Sequence, residues 1–201
     1  MALSPSQRGK LAGIERADSI VWDAHKLLMM PALVTGVLFR KEAHAYEAFA
    51  QQASYLFAGT APAESWWDLG QRTLECTKRM MAVELWSVLR SHGEATLGAI
   101  VDRQHALAAE FAAKLAAAPD FELALAPESN IVCYRHVPAG MTDPAAIDAH
   151  NRTLRGKLVA DGRFYIVGTK LSRGYHLRST IMNPLTESRD LDELLAHLRT
   201  L

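Results

Sequence analysis

The chain has 201 residues, of which 49% are hydrophobic, and its 22 lysines and arginines are balanced by 22 aspartates and glutamates. This length and apolar content are enough for one sizeable core or two small ones. The balanced charge excludes a general electrostatic attraction to nucleic acid or to an anionic membrane, so a bound anion must be held locally. We therefore expect a globular protein without nucleic-acid or membrane partners.

Neither the N-terminus nor the cysteines indicate export or metal binding. The first residues, MALSPSQRGKLAG, lack an apolar run before a small-residue cleavage site, and the longest apolar stretch, residues 27–39, is interrupted and too short to span a bilayer. Cys76 and Cys133 are far apart and have no second Cys or His at the spacing of a zinc site. We expect a cytoplasmic chain with buried, reduced thiols and no metal.

The first part of the chain predicts two apolar strands. DSIVW, residues 18–22, is typical of a short buried strand, and LVTGVLFR, residues 33–40, of a second one. The segment AHKLLMMP between them is predicted to be a loop, because Pro31 closes it. Signals are mixed from residue 41 to residue 65, and we expect the second half of that stretch to be a long loop of the kind that is usually functional or mobile.

Two helices and an α+β segment follow. Apolar residues at helical spacing predict a helix from Trp66 to His92, which Gly93 interrupts, and a second helix over residues 94–118; both are expected to pack in a core. The remainder predicts a small antiparallel sheet covered by helices on one side. Its expected elements are strands at 121–125, 131–137, 164–171 and 175–182, a helix from Asp143-Pro144 to about residue 160, and a last helix capped by Ser188.

Two positions suggest chemistry on their own. Asp23-Ala24-His25-Lys26 follows a predicted strand, and the carboxyl ends of strands are where open α/β sheets place ligands, although a surface lysine at a strand end is the more common meaning of such a pattern. Arg178 lies in the middle of the apolar strand YHLRSTIM, where its charge needs a partner. Its planar guanidinium suits a carboxylate, either of an acidic side chain or of a ligand.

The segment GIERADSIVWDAHKLLMMPALVTGVLFR resembles the cofactor-lysine region of the group II decarboxylases dependent on pyridoxal phosphate (PLP). This family contains the glutamate, cysteine-sulfinate, aromatic amino-acid and diaminobutyrate decarboxylases. Further segments recur in the family's order and at similar separations: SYLF, LGQRTLECTKR, PESNIVCYRHVP and HLRSTIMNP. The resemblance therefore covers essentially the whole chain. It implies the α/β PLP-dependent transferase fold, which is aspartate aminotransferase-like and of fold type I, with residues 1–92 ending the large PLP-binding domain and residues 93–201 forming the α+β small domain.

The resemblance also implies the cofactor site. Lys26 would form the internal aldimine with PLP, whose ring accepts electrons from the substrate α-carbon. His25 and Asp23 would lie at the cofactor phosphate, Asp23 through water or a backbone contact because an ionised carboxylate cannot donate a hydrogen bond. Gly70 would bring backbone amides close to the cofactor phosphate, either of this chain or of the neighbouring subunit. A purely structural histidine is the alternative for His25.

Two further residues would act on the substrate. Tyr55 matches a loop tyrosine that returns a proton to the α-carbon after carbon dioxide leaves, so that an amine forms; phenylalanine there favours oxidation to an aldehyde. Arg178 would contact a substrate or product carboxylate. An exposed aromatic that anchors a loop is the alternative for Tyr55, and a structural salt bridge is the alternative for Arg178.

The family's other cofactor contacts precede the lysine segment. They are an aspartate paired with the pyridine nitrogen, a residue stacked on the ring and a phosphate-binding Ser/Gly loop, and residues 1–17 are too few to hold them. We therefore expect the C-terminal half of an amino-acid decarboxylase that pairs with a separate N-terminal-half chain, or a truncated product, in a homo- or hetero-oligomer with active sites at the interface. The alternatives are an inactive remnant or interaction subunit, or another PLP lyase of this fold, which Tyr55 disfavours. The substrate amino acid is left open.

Overall fold

The computed structural model describes residues 1–31, 33–49, 66–75 and 77–201. The chain divides into two compact units, Met1–Leu97 and Gly98–Leu201. No helix in these described ranges has both the length and the hydropathy that crossing a membrane requires. The predicted domain boundary after residue 92 refers to the domains of the complete family fold and stays a prediction.

The first unit is organised around two antiparallel strands, β1 (Ser19–Asp23) and β2 (Thr35–Phe39). β2 lies within its predicted segment, and β1 ends one residue beyond its own; the β-branched and aromatic residues of both favour extended backbone. Short 3-10 turns precede them at Arg8–Leu11 and Ile14–Arg16. The strand pairing places Asp23 opposite Thr35, at the end of β1 where the lysine loop begins.

The two strands are largely exposed. Val21 is 64% exposed and its cross-strand partner Val37 is 46% exposed, while Leu38 on the opposite face is 53% exposed. A two-stranded sheet cannot bury both of its faces by itself. The prediction of a buried strand at residues 18–22 is therefore wrong for this chain, although the strand itself is present.

The helices after β2 differ from the predicted ones. A short helix, α1, covers Glu42–Ala48, a 3-10 turn covers Leu69–Arg72, and α2 covers Met81–Ala117. The helix predicted from Trp66 is therefore wrong over its first half. Asp68 explains part of this difference, because its side chain accepts the Gly70 amide at 3.0 Å and closes a local turn in place of a continuing helix.

Gly93 divides α2 into two helices, as predicted. Its φ of 76° and ψ of 160° lie in a region that glycine adopts without the steric penalty of a side chain. None of residues 81–92 is buried against the described part of the chain, and Trp86 is 64% exposed. The expectation that this first helix packs in a core is wrong within this chain. The second helix does bury its apolar face, including Phe111 and Leu115, both 0% exposed.

The second unit contains the predicted antiparallel sheet. Its four strands have the order β3-β4-β6-β5, and every pairing is antiparallel. The strands are β3 (Phe121–Leu123), β4 (Ile131–His136), β5 (Val167–Leu171) and β6 (Gly174–Thr180), and the helices after α2 are α3 (Pro144–Asp161) and α4 (Ser188–Thr200).

One face of this sheet forms the core. Tyr134 of β4 and Leu177 of β6 are 0% exposed and belong to a cluster with apolar residues of the three helices, and Tyr134 meets the Phe111 ring edge-on at 5.3 Å. Successive side chains of a strand point to opposite faces. The alternate residues Cys133 and Arg178, which pair across β4 and β6, therefore lie on the other face. Cys133 is only half-buried, so the predicted buried thiol is wrong at this position, and Cys76 lies outside the described residues.

The last helix has a different cap from the one predicted. Glu187 is the N-cap residue and forms a capping box with Asp190, whose carboxylate accepts the Glu187 amide at 2.8 Å. Ser188 is the first helical residue and its hydroxyl donates to Glu110 instead. The prediction of Ser188 as the cap is therefore wrong by one residue, because a serine and an acidic neighbour both fit the capping pattern.

Candidate active site

Backbone hydrogen bonds hold the lysine loop against β2. The amides of Ala24 and His25 both donate to the Val34 carbonyl, at 2.9 and 3.2 Å, and the Met30 amide donates to the Ala24 carbonyl at 3.2 Å. Ala24, Val34 and Met30 are each at most 5% exposed. The loop therefore has a buried, hydrogen-bonded base from which the next side chain, that of Lys26, extends.

Lys26 carries an accessible amine beside a carboxylate. Its side chain is 58% exposed, and its Nζ pairs with Oδ2 of Asp23, whose side chain is 25% exposed. The Thr35 hydroxyl donates to the other carboxylate oxygen, Oδ1, at 2.7 Å. The hydrogen bonds from Lys26 and then from Thr35 hold the pKa of Asp23 below its ordinary value, so this carboxyl is ionised at neutral pH.

His25 uses one ring nitrogen inside the loop. Its Nδ1 lies 3.1 Å from the Val34 carbonyl oxygen and 3.4 Å from the Thr35 hydroxyl. A carbonyl only accepts, so Nδ1 carries a proton in this arrangement. The second nitrogen, Nε2, is then an acceptor in the neutral ring, and it must be protonated before it can donate to a phosphate.

Gly70 is buried in the 3-10 turn, and its amide already donates to Asp68. It can donate to a phosphate only if it leaves this carboxylate. The nearby Arg72 lies over the Tyr46 ring, with 5.4 Å from Cζ to the ring centroid, and its buried Nε has no hydrogen-bond partner among the described residues. Sequence reasoning did not single out Arg72.

A cleft of about 770 Å³ lies beside β2 in the first unit. Thr35, Val37 and Phe39 of β2 line it, together with the cationic residues Arg40, Arg72 and Lys78 and the acidic residues Glu42 and Glu75. The strand that provides Thr35 to the lysine group therefore also forms a wall of the cleft.

Arg178 lies in the second unit, on the sheet face that the core does not use. It stands opposite Cys133 of β4 and Val167 of β5. Burial raises the pKa of the Cys133 thiol, and the positive charge of Arg178 opposes that rise. Among the described residues Arg178 has no carboxylate partner, whereas Arg135 and Arg173 both pair with Glu122.

The structure thus brings together three of the predicted residues. Asp23, His25 and Lys26 form one hydrogen-bonded group, and Thr35 completes it. Sequence reasoning missed Thr35; the only signal was a polar residue inside the apolar run LVTGVLFR. Gly70 belongs to the same unit and Arg178 to the other. Tyr55 lies outside the described residues. The roles of all these residues stay predictions.

Comparison with known proteins identifies the class. A sequence model described as the pyridoxal-dependent decarboxylase conserved domain matches residues 1–137. The cysteine sulfinic acid decarboxylase of Mus musculus is 28% identical over 208 residues, which are 99% of this chain and 42% of that relative. The L-2,4-diaminobutyrate decarboxylase of Acinetobacter baumannii is 30% identical over 198 residues, which are 98% of this chain and 38% of that relative.

Solved structures agree on the fold. The crystal structure of mouse CSAD in apo form matches with a TM-score of 0.84 at 26% identity, over 98% of this chain and 42% of that one. The structure of Oryza sativa TDC with PLP and tryptamine matches with a TM-score of 0.85 at 24% identity, over 98% of this chain and 41% of that one, and supports the fold alone. The predicted fold of the PLP-dependent decarboxylases, fold type I, is therefore confirmed.

The chain belongs to the pyridoxal-dependent decarboxylase family, which confirms the resemblance seen in the sequence. It spans about two fifths of the length of the relatives that it matches.

Proposed function

We propose that this chain supplies the lysine-bearing part of a PLP-dependent amino-acid decarboxylase, which releases carbon dioxide and an amine. The observation that carries the proposal is the accessible Lys26 amine on a hydrogen-bonded loop, in a chain that belongs to the decarboxylase family. Its curated relatives include decarboxylases of cysteine sulfinic acid, aromatic amino acids and diaminobutyrate. They support the reaction class and leave the substrate open.

The residues present suit PLP. The amine ends a side chain that is 58% exposed, so it can reach the aldehyde of the cofactor, and the loop that carries it is anchored beside β2. When bound, PLP supplies an electron-accepting ring for the pair of electrons that loss of carbon dioxide leaves at the substrate α-carbon. His25 in its doubly protonated form, and Gly70 after it leaves Asp68, are the groups proposed to hold the phosphate.

Lys26 must lose a proton before its amine can form a covalent bond. Asp23 is a poor acceptor for that proton, because its hydrogen bonds hold its pKa low. Its role is to bind and orient the ammonium group. Since the Lys26 side chain is exposed, the proton can leave to solvent.

The substrate contacts are assigned to Arg178 and Tyr55. The guanidinium of Arg178 has no carboxylate partner among the described residues, so its planar fork is available to a substrate carboxylate. Tyr55 is proposed to return the proton to the α-carbon, which makes the product an amine. The resemblance of SYLF to the family's catalytic loop supports that role.

The proposal includes a partner. Both faces of the β1–β2 pair expose large apolar side chains, as the values for Val21 and Leu38 show. A surface of this kind is typical of an interface. We propose that a polypeptide carrying the N-terminal half of the family fold covers it, provides the remaining cofactor contacts, and forms with this chain an oligomer whose active sites lie at the interface.

The experiment is a reconstitution. The chain is mixed with PLP and the polypeptide encoded immediately upstream, and carbon dioxide release is measured from glutamate, aspartate, cysteine sulfinate, diaminobutyrate and aromatic amino acids. We expect release from at least one of them, and its loss together with the visible cofactor band in Lys26→Ala. Lys170→Ala, which removes an exposed lysine of β5, is the matched control and is expected to keep both.

A visible band that survives Lys26→Ala would show that another residue binds the cofactor. Cofactor binding without turnover of any amino acid would favour the alternative, an inactive remnant.

A further inference from the structure

We propose that Thr35 is a positioning residue for Lys26: its hydroxyl holds one oxygen of the Asp23 carboxylate so that the other oxygen faces the lysine amine. The consequence for cofactor capture rests on the function proposed above. The contact itself belongs to the chain without cofactor and can be tested there.

The strand register brings the two residues together. Asp23 is the last residue of β1 and Thr35 the first residue of β2, and they are paired directly across the antiparallel ladder. The β-carbons of such a pair are about 4.5–5.5 Å apart, so their short side chains can meet. Threonine is also stiff about χ1 because it branches at the β-carbon. The backbone therefore determines where the hydroxyl points.

Thr35 and Lys26 bind different oxygens of the same carboxylate. The hydroxyl donates to Oδ1 at 2.7 Å, and Nζ pairs with Oδ2. With Oδ1 held, the carboxylate cannot rotate freely about its last bond, and Oδ2 stays directed at the lysine. An exposed ion pair between residues three apart is weak without such a constraint.

The same hydroxyl links the group to His25. Nδ1 of His25 lies 3.4 Å from the Thr35 hydroxyl and 3.1 Å from the carbonyl of Val34, which is 3% exposed. Thr35 therefore stands between the histidine and the carboxylate, next to the buried residue that precedes β2. Removing its hydroxyl loosens the carboxylate and leaves the backbone ladder in place.

The functional consequence concerns Lys26. A held carboxylate keeps the ammonium at one place until the cofactor arrives. It also keeps a partner for Asp23 after the lysine has left, because the Thr35 hydrogen bond does not depend on Lys26.

The test measures the reactivity of the Lys26 amine in the full chain without PLP. Trace acylation followed by mass spectrometry gives the labelling rate of Lys26 in wild type, Thr35→Val, Thr35→Ser, Asp23→Asn and the double variant Thr35→Val/Asp23→Asn. Valine keeps the shape and the β-branch of threonine, and serine keeps the hydroxyl. Thr169→Val makes the same replacement in a strand of the second unit and serves as the control. Circular dichroism confirms that each variant is folded.

We expect Lys26 to be labelled about two- to tenfold faster in Thr35→Val, the factor that one hydrogen bond contributes to an equilibrium. Thr35→Ser and Thr169→Val should label as the wild type does. The double variant should match Asp23→Asn alone, because Thr35 acts through Asp23. Carbon-13 spectra should show the pKa of Asp23 moving up toward its ordinary range in Thr35→Val and remaining low in Thr35→Ser.

Equal labelling of wild type and Thr35→Val would overturn the proposal, and so would a Thr35→Val effect that persists in full on the Asp23→Asn background. If Thr35→Val does not fold, Thr35→Ala and Thr35→Ser provide the same comparison. If the chain gives the expected labelling pattern but captures no PLP with its partner present, the proposed function fails while the positioning role of Thr35 stands.

Discussion

Arg178 differs from Arg135 and Arg173 because it has no carboxylate partner among the described residues. Glu122 accepts Arg135 and Arg173, and among the described residues neither this carboxylate nor any other reaches Arg178. Arg178 is only half-buried and lies on the sheet face that the core does not use, so its guanidinium is open to a partner. A ligand carboxylate would provide that partner.

Replacing Arg178 should therefore weaken catalysis through carboxylate binding. We expect Arg178→Lys, which keeps the charge but loses the planar fork, to lower kcat/KM by about tenfold or more, since a hydrogen bond to a charged group contributes about 1.5–3 kcal/mol. Arg178→Gln should lose more. Steady-state kinetics of the reconstituted enzyme measure both. Arg163→Lys, at an exposed pair with Glu193, is the control, and a loss of similar size there would contradict a specific role for Arg178.

At this scale the sequence indicated some residues and not others. Lys26, His25 and Asp23 could be selected because they lie close together at the end of a predicted strand and match a family segment. Thr35 and Arg72 could not, because their roles depend on strand register and on a turn that the linear pattern does not show. Local spacing in the chain does not report which side chains meet across a sheet.

Among the elements, β4 and α3 are joined by two histidines. Nδ1 of His136 lies 2.9 Å from Nε2 of His150, and Asn151 accepts the amide of His136 and donates to its carbonyl, both at 2.9 Å. Asp120 lies 3.6 Å from the other ring nitrogen of His136, and its two carboxylate oxygens accept from Nε and Nη2 of Arg199. The two rings can share one proton, but two added protons would place like charges in contact.

The stability of the second unit should therefore depend on pH near the histidine range. Burial and then the neighbouring His150 lower the pKa of His136, and burial and then Lys157 lower the pKa of His150. The unfolded chain then binds more protons than the folded one as pH falls below the ordinary histidine value of 6.5. Stability is full above that pH and is lost as pH falls through the lowered values.

Urea unfolding followed by circular dichroism between pH 7.5 and pH 5 measures this loss. His150→Gln removes one titrating ring, and we expect it to flatten the dependence. The Asp120–Arg199 pair does not obscure the result, because it lowers the pKa of a carboxyl whose ordinary value is 3.8, so its contribution is lost only at more acidic pH. A wild-type midpoint that does not change across this interval would contradict the account.

The elements of the second unit could be predicted from the sequence. The short helix and the turn between β2 and α2 could not. Strands β3 to β6 and helices α3 and α4 follow alternating or helical apolar patterns, and a single chain segment supplies the whole core. Residues 66–80 also contain apolar residues and helix formers, but the side chain of Asp68 closes a turn there. The predictions that β1 and residues 81–92 are buried were wrong. The sequence pattern shows which face of an element is apolar, but it does not show what covers that face.

Among the described residues, the second unit contains the apolar core cluster, and the first unit carries most of the exposed large apolar side chains. In the second unit the core side chains of the sheet and of α2, α3 and α4 are buried together. In the first unit Val21, Leu38, Trp66, Trp67 and Trp86 are each more than half exposed. The chain spans about two fifths of its relatives' length, and the partner polypeptide proposed above would cover these side chains.

We therefore predict that the chain self-associates when it is alone and that the N-terminal-half polypeptide prevents this. Leu38→Lys should reduce self-association, because it places a charge on an exposed strand that is open to pairing. Leu125→Lys makes the same change at a leucine of the second unit that is 59% exposed, and it should have little effect. Sedimentation velocity measures both. A soluble monomer that binds PLP without a partner would contradict the prediction.

Lys26 is proposed above as the residue that binds the cofactor. The most direct measurement is to mix the chain and its partner polypeptide with PLP, reduce the complex with borohydride, digest it and locate the pyridoxyl group by mass spectrometry. We expect one modified lysine, in the peptide that contains Asp23-Ala24-His25-Lys26. A pyridoxyl group on a different lysine, with Lys26 unmodified, would contradict it.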